Sequence, residues 1–274
     1  MMKRRTLRWS VWSSLVVALW SPAGAHAQDT SPSTTQTLGE GYHAQATVRY
    51  WSPSADLVVS SDSRGLPGTR IDIRNDLGLT SRRFPEVQLV LKPGLRHKFL
   101  LQYIPIQYES AATLHRDLVF NGLRYRTGQL VSSRFDWKAY RVGYEYDFCV
   151  RQRWFAGILA EVKHTDISVH LTSATADEVA RQQMPIPALG GVVRVYPTRR
   201  IALTGELTFF AVPEQPDGHY GGHYADLDLS GTANVTNRLG AQVGLRRLNI
   251  GHLGAWDTGM FTLNGFYVGA VVRY

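Results

Sequence analysis

Apolar and polar side chains alternate along much of the chain, and this pattern restricts the possible folds more than any other feature. The segments 42–50, 201–209, 225–235 and 239–246 each place mainly apolar or aromatic residues at every second position. A period of two puts alternate side chains on opposite faces of a β-strand. The sequence therefore predicts strands with one apolar and one polar face.

Two architectures contain such strands. A soluble sandwich or barrel turns the apolar face inside, whereas a transmembrane barrel turns it outside, against lipid. Many segments reach about 10 residues, which suits a tilted crossing of the bilayer, while soluble strands more often have about five or six. Tight connections at 92–96, 150–153, 197–200 and 236–238 alternate with longer polar ones. Short periplasmic turns opposite longer external loops are typical of an outer-membrane barrel.

Residues 1–27 have the features of a secretory signal peptide. Four cationic residues precede an apolar stretch at 9–20, and an A-H-A motif at 25–27 provides a cleavage site. The apolar stretch is shorter than the about 20 residues that a membrane-spanning helix needs. We expect a periplasmic N-terminal segment at 28–41 and an outer-membrane β-barrel at 42–274, with the signal peptide cleaved near Ala27.

The composition excludes several classes of function. The net charge is +8, and loss of the four cationic residues at the N-terminus, where no acidic residue lies, would leave +4. That excess is too small to indicate binding of nucleic acid. The single cysteine, Cys149, excludes an internal disulfide and a cysteine-rich zinc site. No cofactor or metal ion is expected.

The chain ends in the segment FYVGAVVRY, which places apolar or aromatic residues at every second position up to a final aromatic. This ending resembles the C-terminal signature of bacterial outer-membrane β-barrel proteins. The matching residues are Phe266, Val268, Ala270, Val272 and Tyr274. The resemblance implies integration in the outer membrane and recognition by the barrel-assembly machinery.

Two further segments, GTRIDIRNDLGL at 68–79 and PIPALG at 185–190, resemble parts of a group of uncharacterised outer-membrane β-barrel proteins. The resemblance to the class is specific for location and fold. It does not indicate an activity, because the class includes porins, adhesins, lipases and proteases.

We expect an all-β, antiparallel, up-and-down transmembrane barrel of about 10 strands, within a range of about 8 to 12, with both termini in the periplasm. Strands leaving the periplasm are predicted at 42–51, 97–109, 153–171, 200–210 and 239–250, and returning strands at 84–92, 131–148, 186–196, 223–235 and 259–274. Segments 57–60 and 69–74 are predicted to form a short hairpin above the membrane rim. A further extended pair is predicted around 117–125 and 129–133.

Two details of the wall are also predicted. A β-bulge is expected at Pro105, because the apolar set shifts there from Tyr103 to Ile106 and Tyr108. An aromatic belt at the membrane interfaces is expected from residues near strand ends. Its members are Tyr50, Tyr103, Tyr140, Tyr144, Tyr146, Trp154, Tyr196 and Tyr274.

The polar faces of the strands predict a charged lumen with both signs in equal number. The cationic residues are Arg49, Lys98, Arg141, Lys163, Arg194, Arg246 and Arg273, and the anionic ones are Glu86, Glu145, Asp147, Glu161, Glu206, Asp226 and Asp228. Because a barrel of about 10 strands is narrow, long side chains of balanced charge should pair and fill it. The lumen is expected to be closed or very narrow.

Three groupings invite a chemical interpretation. Glu206, Asp226 and Asp228 could form an acid–base pair, but ion pairing with Arg246 and Lys163 is the favoured interpretation. Asp217, His219 and His223 have a spacing that could bind a metal ion, but a solvated loop is favoured over a site. His164, Asp166 and Ser168 are not a catalytic triad, since the first and last lie about 13 Å apart along a strand.

Three functions remain open on the sequence. The favoured one is a non-enzymatic barrel with a structural or surface-interaction role. The alternatives are a small porin or channel for solutes and a membrane-embedded hydrolase that modifies lipid or peptide. Outer-membrane lipid and lipopolysaccharide are expected partners. The first external loop could bind lipopolysaccharide phosphates or form exposed ion pairs within itself. Its arginines are Arg64, Arg70, Arg74, Arg82 and Arg83.

Overall fold

A computed structural model describes residues 39–61, 69–78, 82–213, 221–253 and 257–274. The predicted signal peptide lies outside these residues. Within the described segments, no helix has the length and apolar character needed to cross a membrane.

Strands dominate the described part of the chain. The elements, in chain order, are β1 (Ala44–Ser61), β2 (Ile71–Asp72), α1 (Ile73–Leu77), β3 (Phe84–Leu91), β4 (His97–Thr113), β5 (Leu118–Phe120), β6 (Leu123–Tyr125), β7 (Leu130–Val150), β8 (Trp154–Thr172), β9 (Asp177–Val195), β10 (Ile201–Val212), β11 (Gly221–Asn234), β12 (Leu239–Leu253) and β13 (Asp257–Arg273).

Ten long strands form a closed antiparallel barrel. They follow one another around the wall in chain order, with β2, β5 and β6 outside this circuit. The last strand pairs with the first from Gln45↔Arg273 to Ser61↔Asp257. This seam completes the circuit, so where strands pair on both sides the backbone N–H and C=O groups have partners without help from water. Away from the chain termini, β3 pairs with β4 only as far as Tyr103, and β10 pairs with β9 only as far as Leu189. The predicted fold class and strand number are confirmed.

Both termini of the barrel lie at the same end. The amides of His43 and Ala44 donate to the carbonyl oxygen of Tyr274 at 2.7 Å and 3.0 Å. We call this end the inner end and the opposite end the outer end. The tight connections predicted from the sequence all lie at the inner end.

The segments beyond the predicted strands differ in detail from the prediction. The first strand continues to Ser61, and only Val58 and Val59 pair with β2. The chain then turns into α1, where a strand was predicted as far as residue 74. The segment 117–125 is a complete hairpin by itself, because Asn121 and Gly122 both have positive φ (48° and 78°) and permit a tight turn. Residues 130–133 belong to β7.

The bulge predicted at Pro105 is wrong. The register between β4 and β7 runs without a shift from Lys98↔Glu145 to Gln107↔Asp136. Ile106 and Tyr108, which were predicted to face lipid, are buried inside the barrel, with 2% and 1% of their surface exposed. Beyond Tyr103 the outward side chains of β4 become polar and the inward ones become apolar. The strand itself continues without a break in its alternation.

Next to the inner end, the wall is apolar outside and charged inside. We call this the membrane zone. Its exposed apolar residues include Val48, Leu101, Val142, Val193, Val243 and Val268.

Toward the outer end, the wall is polar outside and apolar inside. We call this the outer zone. The outward residues Gln107, Arg134, Asp136, Arg181 and Gln183 are partly or fully exposed. Because water surrounds the barrel beyond the bilayer, apolar side chains there leave water only by turning into the lumen. The strands thus extend beyond the part of the wall that lipid surrounds.

Aromatic side chains mark the limits of the membrane zone. Tyr103 and Tyr140 stack outside the barrel, with ring centroids 4.8 Å apart, where the outer zone begins. Tyr144 and Tyr146 lie near the inner end, where His97 contacts both rings. Tyr196 does not belong to this belt, since it is buried inside the inner mouth.

The same charge on the outer face should lower the free energy of unfolding by different amounts in the two zones. We expect Val268→Arg to destabilise the barrel in phospholipid vesicles by about 2–4 kcal/mol, since a lipid-facing arginine near the midplane costs that much. The control Ser132→Arg, on the outward face of β7 in the outer zone, should have little effect. Urea unfolding followed by tryptophan fluorescence measures both, and equal losses would contradict the zones.

Candidate functional site

The lumen of the outer zone is filled by a cluster of apolar side chains, which we call the outer plug. It includes Trp51, Leu57, Phe84, Ile104, Ile106, Tyr108, Phe135, Trp137, Val169, Leu171, Ile250, Phe261 and Leu263. Aromatic rings pack within it, with centroids 5.0 Å apart for Phe84 and Tyr108 on the neighbouring strands β3 and β4, and 5.9 Å apart for Phe135 and Phe261 across the barrel. Packing of this kind excludes water from the outer half of the lumen.

The β5–β6 hairpin closes the outer end. Leu118, Phe120 and Tyr125 are buried against the outer plug. The hydroxyl of Tyr125 donates to the carbonyl oxygen of Leu171 on β8 at 3.0 Å. Leu77 of α1 joins the same cluster from the other external segment.

Charged side chains fill the lumen of the membrane zone. Arg246 binds Asp226 through two nitrogens, at 3.0 Å and 2.6 Å, and Glu86 at 2.8 Å. Arg49 binds the other oxygen of Glu86 at 2.9 Å and Asp228 at 3.1 Å. Glu86 thus joins two arginines while none of its surface is exposed.

The network continues around the wall. Lys163 binds Asp226 at 2.7 Å and Glu161 at 3.0 Å. Arg141 binds Glu161 at 2.5 Å and also pairs with Glu206. Because each acid contacts at least one cation, the charges compensate one another, which buried ions require.

Aromatic residues connect this network to the outer plug. The hydroxyl of Tyr224 donates to Asp226 at 2.9 Å, and that of Tyr267 donates to Asp228 at 2.6 Å. Arg246 lies 5.4 Å from the ring centre of Trp51. These rings present polar atoms or π faces to the ions and apolar surface to the plug.

Closer to the inner end, Lys98 binds Glu145 at 2.6 Å and Asp147 at 2.9 Å. A polar cavity of about 50 Å³ lies between this group and the network, with Arg49, Arg194 and Gln242 among its lining residues.

Glu40 closes the inner mouth of the barrel. It lies before β1, and its carboxylate binds Arg194 at 2.8 Å and Lys92 at 3.3 Å. Tyr196 also donates a hydrogen bond to it. Gly39 has a φ of +85°, and a Cβ there would lie 2.8 Å from both Arg273 and Asn234. Only glycine fits that approach into the mouth.

The charge on Glu40 is strongly held. Burial raises its pKa, but Arg194 and Lys92 outweigh burial and lower the pKa to about 2, from an ordinary value of 4.5. A carboxyl group with a lowered pKa stabilises the folded state above its unfolded pKa. This contribution persists at neutral pH and is lost as the pH falls from about 4.5 towards about 2.

The structure places the predicted lumen residues on the inner face of the wall, where each is buried or partly buried. Glu40 and Lys92 are not among the residues predicted from the sequence. Glu40 lies before the first predicted strand, so periodicity gave no signal for it. Lys92 ends the predicted strand 84–92 on the same face as Glu86, but it was assigned to the tight connection at 92–96. A lone acidic residue just before the first strand was the only available indication.

The groupings considered for catalysis are occupied by other contacts. Glu206, Asp226 and Asp228 each pair with arginine. Asp166 lies on the outer surface and binds Arg181 at 2.9 Å and 2.5 Å. The three lumen carboxylates serve as ion-pair partners, and the cavity that Glu206 and Asp228 help to line holds only about 50 Å³.

The predicted metal grouping falls mostly outside the described residues, since only His223 of the three is described. Its Nε2 contacts Asn249 at 2.6 Å. Among the described residues, no cluster of three histidine, cysteine or acidic side chains could hold a metal ion. Cys149 is a partly exposed free thiol.

The buried network should respond to mutation more strongly than a surface pair of similar geometry. Arg246→Leu leaves Glu86 and Asp226 with fewer cations, and we expect a loss of about 3–5 kcal/mol in the free energy of unfolding. Arg181→Leu, which breaks an exposed bidentate pair, should leave stability nearly unchanged. Denaturant unfolding in the same detergent compares them. An Arg246 variant as stable as the wild type would contradict the network.

Glu40 should protect the N-terminal segment from proteolysis. Tyr42 is only 5% exposed, so chymotrypsin is expected to spare it in the folded wild type. Glu40→Gln removes the charge that binds Lys92 and Arg194 and should permit cleavage after Tyr42, measured by mass spectrometry of the intact barrel. The control Glu109→Gln, in the outer zone, should remain protected. A protected Glu40→Gln barrel would show that the mouth closes without this carboxylate.

Comparisons with known proteins identify the fold of the chain but not a family to which it belongs. No protein-family model and no curated protein matches the sequence. The crystal structure of the outer membrane protease OmpT from Escherichia coli covers 88% of this chain and 99% of its own, with a TM-score of 0.56 and 7% identity.

Two other solved structures are more distant. Neisserial surface protein A covers 85% of this chain and 97% of its own, with a TM-score of 0.37 and 13% identity. Ail of Yersinia pestis covers 85% and 99%, with a TM-score of 0.36 and 8% identity. At 7% identity the likeness to OmpT shows the fold alone, and the chain has an outer-membrane β-barrel fold.

Proposed function

We propose that this protein is an integral outer-membrane barrel with a closed lumen, and that its role is structural or in surface interaction and not enzymatic. One observation carries the proposal. The lumen is occupied at each level, by the β5–β6 hairpin and the outer plug, then by the ion network, and finally by Glu40.

The location rests on the outer face of the wall. The exposed apolar residues of the membrane zone need hydrocarbon around them. The alternating residues of the C-terminal segment, from Phe266 to Val272, face outward on β13, followed by the exposed Tyr274. This arrangement supports recognition by the barrel-assembly machinery and, with the predicted signal peptide, export to the outer membrane.

The outer zone suits a role at the cell surface. Its outer face carries ion pairs such as Arg134 with Asp136 at 2.8 Å. On α1, a hydrogen bond from Arg116 lowers the pKa of Asp76. Arg70, Arg82 and Arg83 are exposed and remain candidates for binding phosphates. The wall thus holds a rigid polar surface beyond the bilayer.

The two alternatives have less support. A channel would need a continuous aqueous path, whereas the described outer plug is apolar and closely packed. A hydrolase would need a carboxylate or nucleophile beside an open cleft, and the lumen carboxylates are paired with cations. The likeness to a protease is one of fold and does not transfer its activity.

Planar-bilayer recordings test the closed lumen. We expect the wild type to show no stable conductance steps, since neither ions nor water can pass the outer plug. Insertion is verified in matched vesicles by the faster gel mobility of the unheated, folded band. Reproducible steps from a verified preparation would overturn the closed lumen and favour the channel.

A further inference from the structure

A groove runs along the lipid-facing surface of β10–β13. Gly205 and Gly231 face outward on neighbouring strands, opposite Leu229 and Leu203 respectively. Their missing side chains lower the surface between larger apolar residues. The groove is shallow and open to lipid, with a volume of about 720 Å³. Leu203, Leu229, Val243, Leu245, Phe266 and Val268 line it.

An exposed arginine lies directly beyond the outer end of this groove. Arg247 faces outward on β12, two residues past Leu245, a rise of about 7 Å along the strand. Its neighbours in register are Leu227 and Asn264. No acidic side chain among the described residues forms an ion pair with it. A guanidinium at the edge of hydrocarbon can bind phosphate with two nitrogens while its stem contacts the apolar surface.

Polar side chains continue this surface away from the membrane. His223, Asn249 and Thr262 form a row across β11, β12 and β13, with contacts of 2.6 Å and 2.9 Å. The sequence of surfaces is therefore apolar groove, cation, then hydrogen-bonding groups. This order matches an amphiphile that has acyl chains, a phosphate and a sugar headgroup.

A second lipid-facing groove provides a comparison. Its volume is about 820 Å³, and Val142, Ala160 and Val162 are among its lining residues. Beyond its outer end, with Tyr140 between, lies Lys138, directly opposite Asp166 in the register of β7 and β8. Asp166 also binds Arg181. An acid beside the cation opposes the approach of a phosphate. Only the first groove combines an apolar channel with a cation that has no acidic neighbour in register.

We infer that the first groove and Arg247 form a binding site for the lipid A part of lipopolysaccharide, with one acyl chain in the groove and a phosphate on Arg247. The inference deepens the proposed function and rests on the outer-membrane location. Arg247 lies at the outer side of the membrane zone, away from the chain termini, and so in the leaflet that contains lipopolysaccharide.

Binding of bis-phosphorylated lipid A to the detergent-purified, delipidated barrel, measured by native mass spectrometry, tests the site. We expect Arg247→Gln to weaken binding about tenfold, the effect of losing one charge-assisted contact. Gly231→Leu should weaken it similarly by filling the groove. A Cβ at Gly231 meets only Leu203, at 3.6 Å, so the variant should fold.

Matched changes at the second groove, Lys138→Gln and Ala160→Leu, should alter the affinity less than about twofold. Dephosphorylated lipid A should bind the wild type about as weakly as intact lipid A binds Arg247→Gln. Wild-type affinity in Arg247→Gln or Gly231→Leu, or equal losses at the second groove, would overturn the site. If binding of phosphatidylglycerol falls as much in Arg247→Gln as binding of lipid A does, the site binds anionic lipids in general and the assignment to lipid A is overturned.

Gel mobility of the unheated band verifies that each variant is folded. Planar-bilayer recordings separate the two proposals. If the wild-type barrel is closed and its affinity for lipid A does not depend on Arg247, only the lipid A site is wrong. A conducting wild type would end the closed lumen and leave the lipid site to its own test.

Discussion

The surroundings of each strand change from hydrocarbon to water along its length, and this change determines which face of the wall is apolar. Within hydrocarbon, backbone groups need partners inside the protein, and the seam between β1 and β13 supplies the last of them. With lipid outside, the apolar side chains face outward and the polar ones share the lumen. Beyond the bilayer the two faces exchange roles, while the strands keep their register.

This exchange produces two kinds of filling that meet inside one barrel. Ions from opposite walls neutralise one another at membrane level, and apolar rings pack above them. Tyr224, Tyr267 and Trp51 lie where these fillings meet and contact both. At the inner mouth Glu40 supplies the carboxylate that Lys92 and Arg194 face. Closure of the lumen therefore depends on residues from the whole length of the chain.

The sequence predicted the strands and their order well, because lipid on one face makes alternation strict. Prediction failed where water replaces lipid. Periodicity shows that Ile106 and Tyr108 lie on one face of β4, but it does not show whether that face meets water or the lumen. The change of the apolar positions therefore suggested a bulge at Pro105. Glu40 was missed for another reason. Its partners come from a turn after β3 and from β9, and such long-range pairing leaves no local pattern.

A spin-label scan along the outward positions of β7 in lipid vesicles tests the exchange of faces most directly. With Cys149 first replaced by serine, labels are introduced singly at Arg134, Asp136, Lys138, Tyr140, Val142 and Tyr144. We expect Val142 and Tyr144 to be accessible to oxygen and shielded from a water-soluble nickel reagent. The reverse is expected at Arg134 and Asp136, with a crossover between Lys138 and Tyr140. Oxygen accessibility that continues to Arg134, without a crossover, would contradict it.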